Sequence, residues 1–268
     1  MDMRQDFLNF KTDTKWIEWF VGFCDADANF QVFPKKRSYV KKKDGKLSEY
    51  INIGYGFHLS LSEKDANLLK EIQLKLNGIG NYYDYPEKEE SRLAITKKIE
   101  LEFLIKNVFE KATLLTEHQR KRYAVLRHGI LKNITRVENQ LEFDQFIENN
   151  SILNKIEDSY FKEGTAFDNW IVGFINGEGC FHVHNKNFLE FSIEHTDKPV
   201  LEFIRENFQF NPVILERGDR SGTRKNTYSL RITSKKDIET LKNFFESENL
   251  NKLEGNKLIQ YFNWKVKA

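Results

Sequence analysis

The chain contains one internal repeat, and this repeat restricts the possible fold more than any other feature. The stretch WFVGFCDADANFQV begins at Trp19, and WIVGFINGEGCFHV begins at Trp170, 151 positions later. A second pair of matching stretches begins at Ile95 and Ile232, 137 positions apart, so the second half is shorter by a loop. Solenoid proteins repeat every ~20–50 residues, and a single, longer repeat does not fit them. The sequence therefore predicts two homologous domains in one chain.

The hydrophobic pattern predicts the same order of elements in each half: a helix, two strands, a helix, two strands and a helix. The strand predicted from Tyr50 to Leu61 alternates apolar residues with Asn, Gly, His and Ser, which is typical of a strand with one buried face. We therefore predict an α+β fold of two αββαββα domains. Their expected boundaries are residues 1–133 and 167–268, with a polar linker at 134–166 that includes a short helix.

The composition excludes several classes of protein. Of the 268 residues, 40% are hydrophobic and 14% aromatic, which is enough for a substantial core. Two cysteines, Cys24 and Cys180, cannot form a disulfide scaffold. No apolar run approaches the ~20 residues of a membrane helix, and the N-terminus lacks the apolar segment of a signal peptide. We expect a soluble protein without a membrane partner.

The repeated helices carry small residues four positions apart, Gly22 with Ala26 and Gly173 with Gly177. Glycine inside a helix costs ~1 kcal/mol relative to alanine. Small residues at this spacing allow two helix backbones to approach closely. The residues around them are too apolar for a helix that faces solvent. We therefore predict that the two helices pack against each other about a pseudo-twofold axis.

Asp27 and Glu178 occupy equivalent positions in the last turn of these helices. An acid is unfavourable there, because the C-terminus is the negative end of the helix dipole. If the helices pair, the two carboxylates also repel each other by ~4 kcal/mol at ~4 Å, for an effective dielectric of about 20. A hard divalent cation with oxygen ligands offsets both costs. The two acids therefore predict a Mg²⁺ site, whereas the alternative is two exposed acids at helix ends.

Two motifs, FVGFCDADA (Phe20 to Ala28) and IVGFINGEG (Ile171 to Gly179), resemble the paired signature motifs of the LAGLIDADG homing endonucleases. Their presence in one chain resembles the monomeric branch of that family. The resemblance implies that two pseudo-twofold-related domains form a saddle-shaped antiparallel sheet surface on double-stranded DNA. It also implies site-specific cleavage of a long asymmetric target with Mg²⁺, leaving short 3′ overhangs, with Ca²⁺ or Mn²⁺ as substitutes. Asp27 and Glu178 match the family's metal-binding acids.

The resemblance further implies a basic catalytic residue near each scissile phosphate. LEGNKLIQYFNW, which begins at Leu253, is similar to the family's C-terminal segment and gives this role to Lys257. The corresponding segment of the first half, LLTEHQRKRY from Leu114, has His118 at that position. The alternative for Lys257 is an ordinary surface lysine on a short helix.

Strand alternation predicts which side chains face the DNA. Polar residues that alternate with buried apolar neighbours share the open face of each sheet, and their side chains are of the types that read base edges in the major groove. The predicted base-contacting residues are Asn29, Gln31, Phe33, Lys35, Arg92, Thr96, His182, His184, Lys186, Arg231 and Thr233. Arg37 and Arg217 are predicted to contact phosphates or flanking bases. The alternative is a polar sheet face that meets water.

A different function stays open. Some proteins of the family that this chain resembles act as splicing maturases that bind intron RNA, and a nucleic-acid-binding protein that does not cleave is also compatible with the fold. The presence of both acids favours a nuclease. The Lys-, Asn-, Ile- and Phe-rich composition indicates an AT-rich organellar gene. By resemblance we expect a monomeric, intron-encoded protein located in the mitochondrion.

Overall fold

A computed structural model describes residues 12–41, 47–162, 164–184, 188–218 and 226–267 of the chain. The elements of the first half are α1 (Thr14–Asp27), β1 (Ala28–Lys41), β2 (Leu47–Ser62), α2 (Ala66–Lys75), β3 (Asn81–Tyr85), β4 (Glu90–Ile95), α3 (Lys98–Leu104), α4 (Glu117–Leu131), β5 (Arg136–Val137) and α5 (Gln140–Asn150). The elements of the second half are α6 (Ala166–Glu178), β6 (Gly179–His184), β7 (Phe188–His195), α7 (Lys198–Asn207), β8 (Leu215–Arg217), β9 (Thr227–Ile232), α8 (Lys235–Glu246) and α9 (Gly255–Lys265).

The strands form two antiparallel sheets of the same topology. The first sheet has the order β1-β2-β4-β3, with β5 paired to β2, and the second has the order β6-β7-β9-β8. In both sheets the first strand follows directly from the repeated helix. Ala28 pairs with Leu59 in the first sheet, and Gly179 pairs with Ile193 in the second. This equivalence confirms the α+β fold that the repeat predicted.

The repeated helices α1 and α6 are in direct contact. A Cβ atom on Gly22 would overlap the carbonyl oxygen of Trp170, and a Cβ atom on Gly173 would overlap the carbonyl oxygen of Trp19. The two contacts are reciprocal and relate the helices by a pseudo-twofold axis. Backbones this close leave no room for a side chain, which explains why both helices contain glycine despite its conformational cost.

One hydrophobic core extends through both halves. Trp19 and Trp170 lie at its centre and are fully buried. Each stacks on an aromatic ring one turn further along its helix, with centroids 5.3 Å apart for Trp19 and Phe23 and 4.7 Å apart for Trp170 and Phe174. The motif helices therefore contribute both the contact between the halves and the centre of the core.

In each half a helix follows the last helix of the predicted αββαββα pattern, α4 in the first half and α9 in the second. The segment predicted as a linker contains β5 and α5, and α5 ends at Asn150, three residues beyond the helix that the sequence predicts from Gln140 to Ile147. Phe143 and Phe146 of α5 pack with Ile53 and Val125 of the first half. The polar composition of this segment concealed the contact, because only these two side chains of α5 are buried.

The helices of the described residues are unsuited to crossing a membrane. The longest of them, α4, has 15 residues, and none is long and apolar enough to span a bilayer.

Candidate active site and nucleic-acid interface

The two repeated acids lie at the same end of the helix pair. Asp27 is the last residue of α1, and Glu178 is the last residue of α6. A Cβ atom on Gly177 would lie 2.7 Å from Oδ2 of Asp27, so the carboxylate of the first half rests against the helix of the second half. The small residue at position 177 therefore has a second role, because it admits a carboxylate between the helix ends.

Both carboxyl groups are harder to ionise than usual. Burial raises the pKa of Asp27 to about 6, and the positive charge of Lys257 opposes this change. Burial also raises the pKa of Glu178 to about 7, and the negative charges of Asp27 and Glu194 raise it further. Asp27 is exposed and Glu178 is half-buried, so ions and phosphates can reach both groups. Two adjacent acids of this kind gain from a cation that neutralises both.

Lys257 lies beside Asp27 in a cleft of about 200 Å³ that Ser60 and Asp65 also line. Its Nζ atom donates a hydrogen bond to the carbonyl oxygen of Gly179, the first residue after Glu178. Burial lowers the pKa of Lys257, and the acidic groups around it oppose this change. The lysine is thus held within the cleft and is not an ordinary surface residue.

The segments that lead into α4 and α9 are attached to the repeated helices in the same way. Oδ2 of Asp25 accepts a hydrogen bond from the backbone N–H of Leu115 at 2.7 Å. Oδ1 of Asn176, which occupies the corresponding position in α6, accepts one from the N–H of Glu254 at 2.6 Å. Each repeated helix therefore fixes the start of the helix that follows the αββαββα unit of its own half.

The first turns of α4 and α9 are also bound to the opposite half. The N–H of Glu117 donates to Oδ2 of Asp197 at 2.6 Å, and the N–H of Asn256 donates to Oδ1 of Asp65 at 2.6 Å. Asp197 and Asp65 are themselves equivalent, because each precedes the helix that follows the second strand of its half. These crossed contacts fix each helix start relative to both domains.

His118 and Lys257 follow the two donors and therefore occupy equivalent positions, as the sequence alignment of the two halves predicted. Their surroundings differ. Lys257 faces Asp27, whereas the ring of His118 lies 5.7 Å from the ring of His195, centroid to centroid. Burial lowers the pKa of His195 to about 4, and His118 contributes to this decrease. The two halves thus present chemically different basic groups.

Asp25 is a structural acid that the sequence did not reveal. It is fully buried, and besides Leu115 it accepts hydrogen bonds from the indole Nε1 of Trp170 at 2.7 Å and from the hydroxyl of Thr116 at 2.6 Å. Burial raises its pKa to about 7, and these hydrogen bonds oppose the change. A carboxylate only accepts hydrogen bonds, so it suits a position where several donors converge.

On the first sheet, the predicted base-contacting residues of β1 follow its open face. Asn29 and Phe33 are exposed and Gln31 is half-exposed. The ring of Phe33 lies over Gly54 on the neighbouring strand, where a Cβ atom would come within 2.5 Å of it. This open face therefore carries two amide side chains and one aromatic ring.

Arg92 of β4 lies on the same open face and is held in place. Its Nε atom donates to the hydroxyl of Ser60 at 2.9 Å, and its Nη2 atom lies 2.8 Å from Oε1 of Glu90. Its guanidinium also lies over the ring of Tyr85, 5.2 Å from the centroid. These contacts orient the arginine without enclosing it, since a third of its side chain is exposed.

On the second sheet, three predicted residues share the open face. His182 and His184 of β6 and Arg231 of β9 are exposed. Nε2 of His182 lies 2.9 Å from the Sγ atom of Cys180, which is half-buried and lies two residues after Glu178. Arg217 of β8 forms an ion pair with Glu194 at 3.2 Å.

The remaining residues predicted to contact DNA are Lys35, Thr96, Thr233, Arg37 and Lys186. Lys35 and Thr96 are exposed and line a small cleft beside Tyr55. Thr233 is half-buried just after β9. Arg37 lies in β1, but its side chain, like the whole of Lys186, lies outside the described part of the chain.

Arg122 is a candidate interface residue that the strand pattern did not reveal. It belongs to α4, and its Nη1 atom donates to Oδ1 of Asn29 at 3.5 Å. Together with Gln31 and Phe33 it lines a broad depression at the edge of the first sheet. The basic stretch of sequence around Arg122 could have indicated a residue that contacts nucleic acid. The alternation of residues within strands cannot identify it, because its side chain reaches the open face of the sheet from a helix.

The donor set of the two acids fits a hard divalent cation. Among the described residues, no group of three or more His, Cys, Asp or Glu side chains is arranged to hold a metal ion. Asp27 and Glu178 would hold such a cation with their carboxylates, and water or a bound phosphate would supply further oxygen ligands. Mg²⁺ commonly binds in this way, through one or two carboxylates and substrate oxygens.

The fold and the site together define a class of protein: two pseudo-twofold-related α+β domains with paired motif helices that end in acids. The model of the LAGLIDADG endonuclease family matches residues 20–127 and 171–267, and the chain belongs to this family. Both copies of the motif lie inside the matched ranges.

Curated relatives are similar along most of the chain. A "Probable intron-encoded endonuclease aI3" of Dictyostelium citrinum is 25% identical over 245 residues, which cover 88% of this chain and 89% of the relative. The "Probable intron-encoded endonuclease Cox1-I1b" of Schizosaccharomyces pombe is 25% identical, with 93% of this chain and 63% of the relative covered. The "Uncharacterized mitochondrial protein RF1" of Saccharomyces cerevisiae is 24% identical over 72% of this chain and 39% of its own length.

Solved structures share the fold. The LAGLIDADG meganuclease I-CpaMI bound to uncleaved DNA superposes with a TM-score of 0.65 at 22% identity, over 96% of this chain and 90% of its own. I-SmaMI bound to uncleaved DNA in the presence of calcium ions gives a TM-score of 0.65 at 19% identity, over 96% of this chain and 91% of its own. These similarities confirm the predicted two-domain fold.

Proposed function

We propose that this chain is a site-specific endonuclease that cleaves both strands of a long asymmetric DNA target and leaves short 3′ overhangs. The observation that carries this proposal is the position of Asp27 and Glu178 at adjoining helix ends, with pKa values raised to about 6 and about 7. A protein that only binds nucleic acid has no evident need for two such acids. Relatives that are named intron-encoded endonucleases support the same function.

Different parts of the chain have different roles in the proposed reaction. The open faces of both sheets bind the major groove and set the register, so that the helix ends meet the minor groove between the scissile phosphates. Asp27 and Glu178 would hold a divalent cation, which when bound would neutralise phosphate charge, activate a water molecule and stabilise the leaving 3′ oxygen. Lys257 and His118, one in each half, would orient the attacking water or offset phosphate charge.

The direct test compares the wild type with an Asp27→Asn, Glu178→Gln double variant. Both proteins are incubated with a randomised library of DNA duplexes and Mg²⁺, and the cleaved sites and the bound sites are sequenced separately. We expect the wild type to enrich one long site among cleaved molecules. The variant should enrich the same site among bound molecules while its cleavage falls by at least about 10³-fold.

Two outcomes contradict the proposal. Cleavage that persists in the double variant would remove the acids from the chemistry. A wild type that selects no DNA site, and instead binds structured intron RNA, would favour a maturase. Substituting Mn²⁺ for Mg²⁺ should preserve cleavage, and Ca²⁺ should preserve binding.

We also propose that the protein acts in the mitochondrion and is encoded within an organellar intron. The names of its curated relatives, intron-encoded endonucleases and one mitochondrial protein, support this proposal. Cleavage of an intron-free allele of the host gene, but not of the allele that contains the intron, would test it.

A further inference from the structure

A carboxylate lies in the middle of the second sheet's open face, where a partner with a phosphate backbone would make an unpaired acid unfavourable. Glu190 of β7 is only 7% exposed. Its Oε1 atom lies 3.2 Å from Nε of Arg231, on the strand to one side, and its Oε2 atom lies 3.2 Å from Nε2 of His184, on the strand to the other side. We call these three residues the Glu190 network.

The backbone of Glu190 is fixed from the opposite side of the sheet. Its carbonyl oxygen accepts a hydrogen bond from the indole Nε1 of Trp264 at 3.1 Å, and Trp264 is fully buried in the core. Glu190 is therefore anchored, whereas its two partners have about half of their side chains exposed. An anchored residue that holds two exposed residues restricts their orientation, and this lowers the conformational entropy lost when they bind.

The contacts with Glu190 leave other nitrogen atoms of Arg231 and His184 available for hydrogen bonds to bases. The ion pair of Arg231 uses Nε, while a guanine is read by the two terminal Nη groups, which donate to O6 and N7. A carboxylate that accepts from Nε2 of His184 fixes the imidazole tautomer and leaves Nδ1 as the second hydrogen-bonding atom. The described residues give Arg231 no other ion pair.

Other arginines of the open faces are also paired with acids, but less firmly. Glu90 holds Arg92 with 29% of its side chain exposed, and Glu194 holds Arg217 with 46% exposed. The side chain of Glu190 is 9% exposed, and its carboxylate has two partners. Exposed ion pairs contribute little because solvent screens them, so the buried carboxylate is the one expected to control orientation.

We propose that Glu190 is a specificity-determining positioning residue, which orients Arg231 and His184 toward base edges in the major groove of the DNA target. This inference rests on the proposed function. It assigns to Glu190 no contact with the DNA itself. The discrimination that it supports is confined to the base pairs read by its two partners.

The experiment uses the full chain and measures binding preferences on a randomised DNA library for the wild type, Glu190→Gln, Arg231→Ala, His184→Ala and the Glu190→Gln, Arg231→Ala double variant. Glu202→Gln is the matched control, since it removes the same charge from an exposed pair on α7. We expect Glu190→Gln to lower discrimination about 5- to 150-fold, the range of a bidentate base contact, at the base pairs that also relax in Arg231→Ala or His184→Ala. The double variant should lose no more than Arg231→Ala at the Arg231-dependent position, because residues that act as a unit are not additive.

Three results would overturn the inference: an unchanged profile in Glu190→Gln, a uniform loss of affinity at all positions, or a change at a base pair that neither partner affects. The last result would mean that Glu190 itself reads a base. Thermal unfolding of each variant shows whether a uniform loss of affinity arises from misfolding. A uniform loss of that origin also counts against a positioning role. A wild type that selects no DNA sequence would instead refute the proposed function.

Discussion

At the scale of single residues, the site depends on acids that the fold makes costly to ionise. Asp27 and Glu178 have pKa values raised to about 6 and about 7, from ordinary values of 3.8 and 4.5. Lys257 offsets part of this cost, and Asp65 and Glu194 add to it. A cation that bound both deprotonated carboxylates would relieve their mutual repulsion.

We expect cation affinity to depend steeply on pH. Above pH 7 both acids are ionised, and below pH 6 both are largely protonated, so protons compete with the metal. The apparent affinity for Mg²⁺ or Mn²⁺ should fall about 10- to 100-fold between pH 8 and pH 6, as measured by calorimetry. The Asp27→Asn, Glu178→Gln variant is the control and should bind weakly at both values. A flat profile in the wild type would exclude these acids as the ligands.

The same shifts determine how stability depends on pH without metal. The pKa values of Asp27 and Glu178 are higher in the folded protein than in the unfolded chain. Below about pH 4 both acids are protonated in both states, so they do not lower the free energy of unfolding. As the pH rises from about 4 to about 7, they ionise first in the unfolded chain, and the free energy of unfolding falls. The melting temperature of the metal-free protein should therefore decrease by a few °C over this range. Millimolar Mg²⁺ at pH 8 should restore it, and a decrease that Mg²⁺ does not reverse would point to the buried Asp25 instead.

At the scale of elements, the helix pair depends on the absence of side chains at two positions. Gly22 and Gly173 each lie against a carbonyl oxygen of the other helix, and a backbone cannot yield as a flexible side chain can. Gly218 is a suitable comparison, since a Cβ atom there would meet nothing within 4 Å.

Gly173→Ala should therefore separate the helices and destabilise the protein by about 2–4 kcal/mol, although alanine is the better helix former. Denaturant unfolding measures the change. Gly218→Ala should shift stability by less than about 0.5 kcal/mol. Equal effects of the two substitutions would mean that the helices are not in close contact.

The equivalent starts of α4 and α9 lead to a prediction about the rates at which the two DNA strands are cut. Because Lys257 and His118 occupy matching positions with different chemistry, the two strands of the target should be cut at different rates. Lys257→Ala should slow the cleavage of one strand by about 10²- to 10³-fold, and His118→Ala should mainly slow the other. Duplexes labelled separately on each strand measure this, with Lys132→Ala as a control at the far end of α4. If both variants slow the same strand, the residues do not serve separate sites.

At the scale of the whole molecule, the two halves form one structural unit. One core runs through both of them. Asp197 accepts a hydrogen bond from the N–H of Glu117 at the start of α4, and Asp65 accepts one from the N–H of Asn256 at the start of α9, so each contact joins the two halves. The net charge is only +2, and the arginines described on the open faces are paired with acids, Arg92 with Glu90, Arg217 with Glu194 and Arg231 with Glu190.

We expect the chain to unfold in one cooperative transition, even though it consists of two homologous domains. The motif helices bury Trp19 and Trp170 between the halves, and a half on its own would expose these rings. Calorimetric and van't Hoff enthalpies should agree, and fragments 1–133 and 167–268 should each fail to fold alone. Two resolved transitions would indicate that the halves are stable independently.

Much of this protein was determined by its sequence alone. The duplicated motif predicted two domains, a helix pair and two acids at its end, because close helix contact and carboxylate pairing depend on residue type at fixed helical spacing. Strand alternation also predicted the open faces, since neighbouring side chains of a strand point to opposite sides. The equivalence of His118 and Lys257 followed from aligning the halves, and hydrogen bonds at the helix starts agree with it.

Only the tertiary structure decided the contacts between segments far apart in the chain. Asp25 gains its role from Leu115 and Trp170, and Glu190 gains its role from strands on both sides and from Trp264. The docking of α5 on the first sheet likewise rests on two buried phenylalanines in a polar segment. A residue's own type and spacing cannot reveal such roles, because they arise from partners that only the folded chain brings within hydrogen-bonding or packing distance.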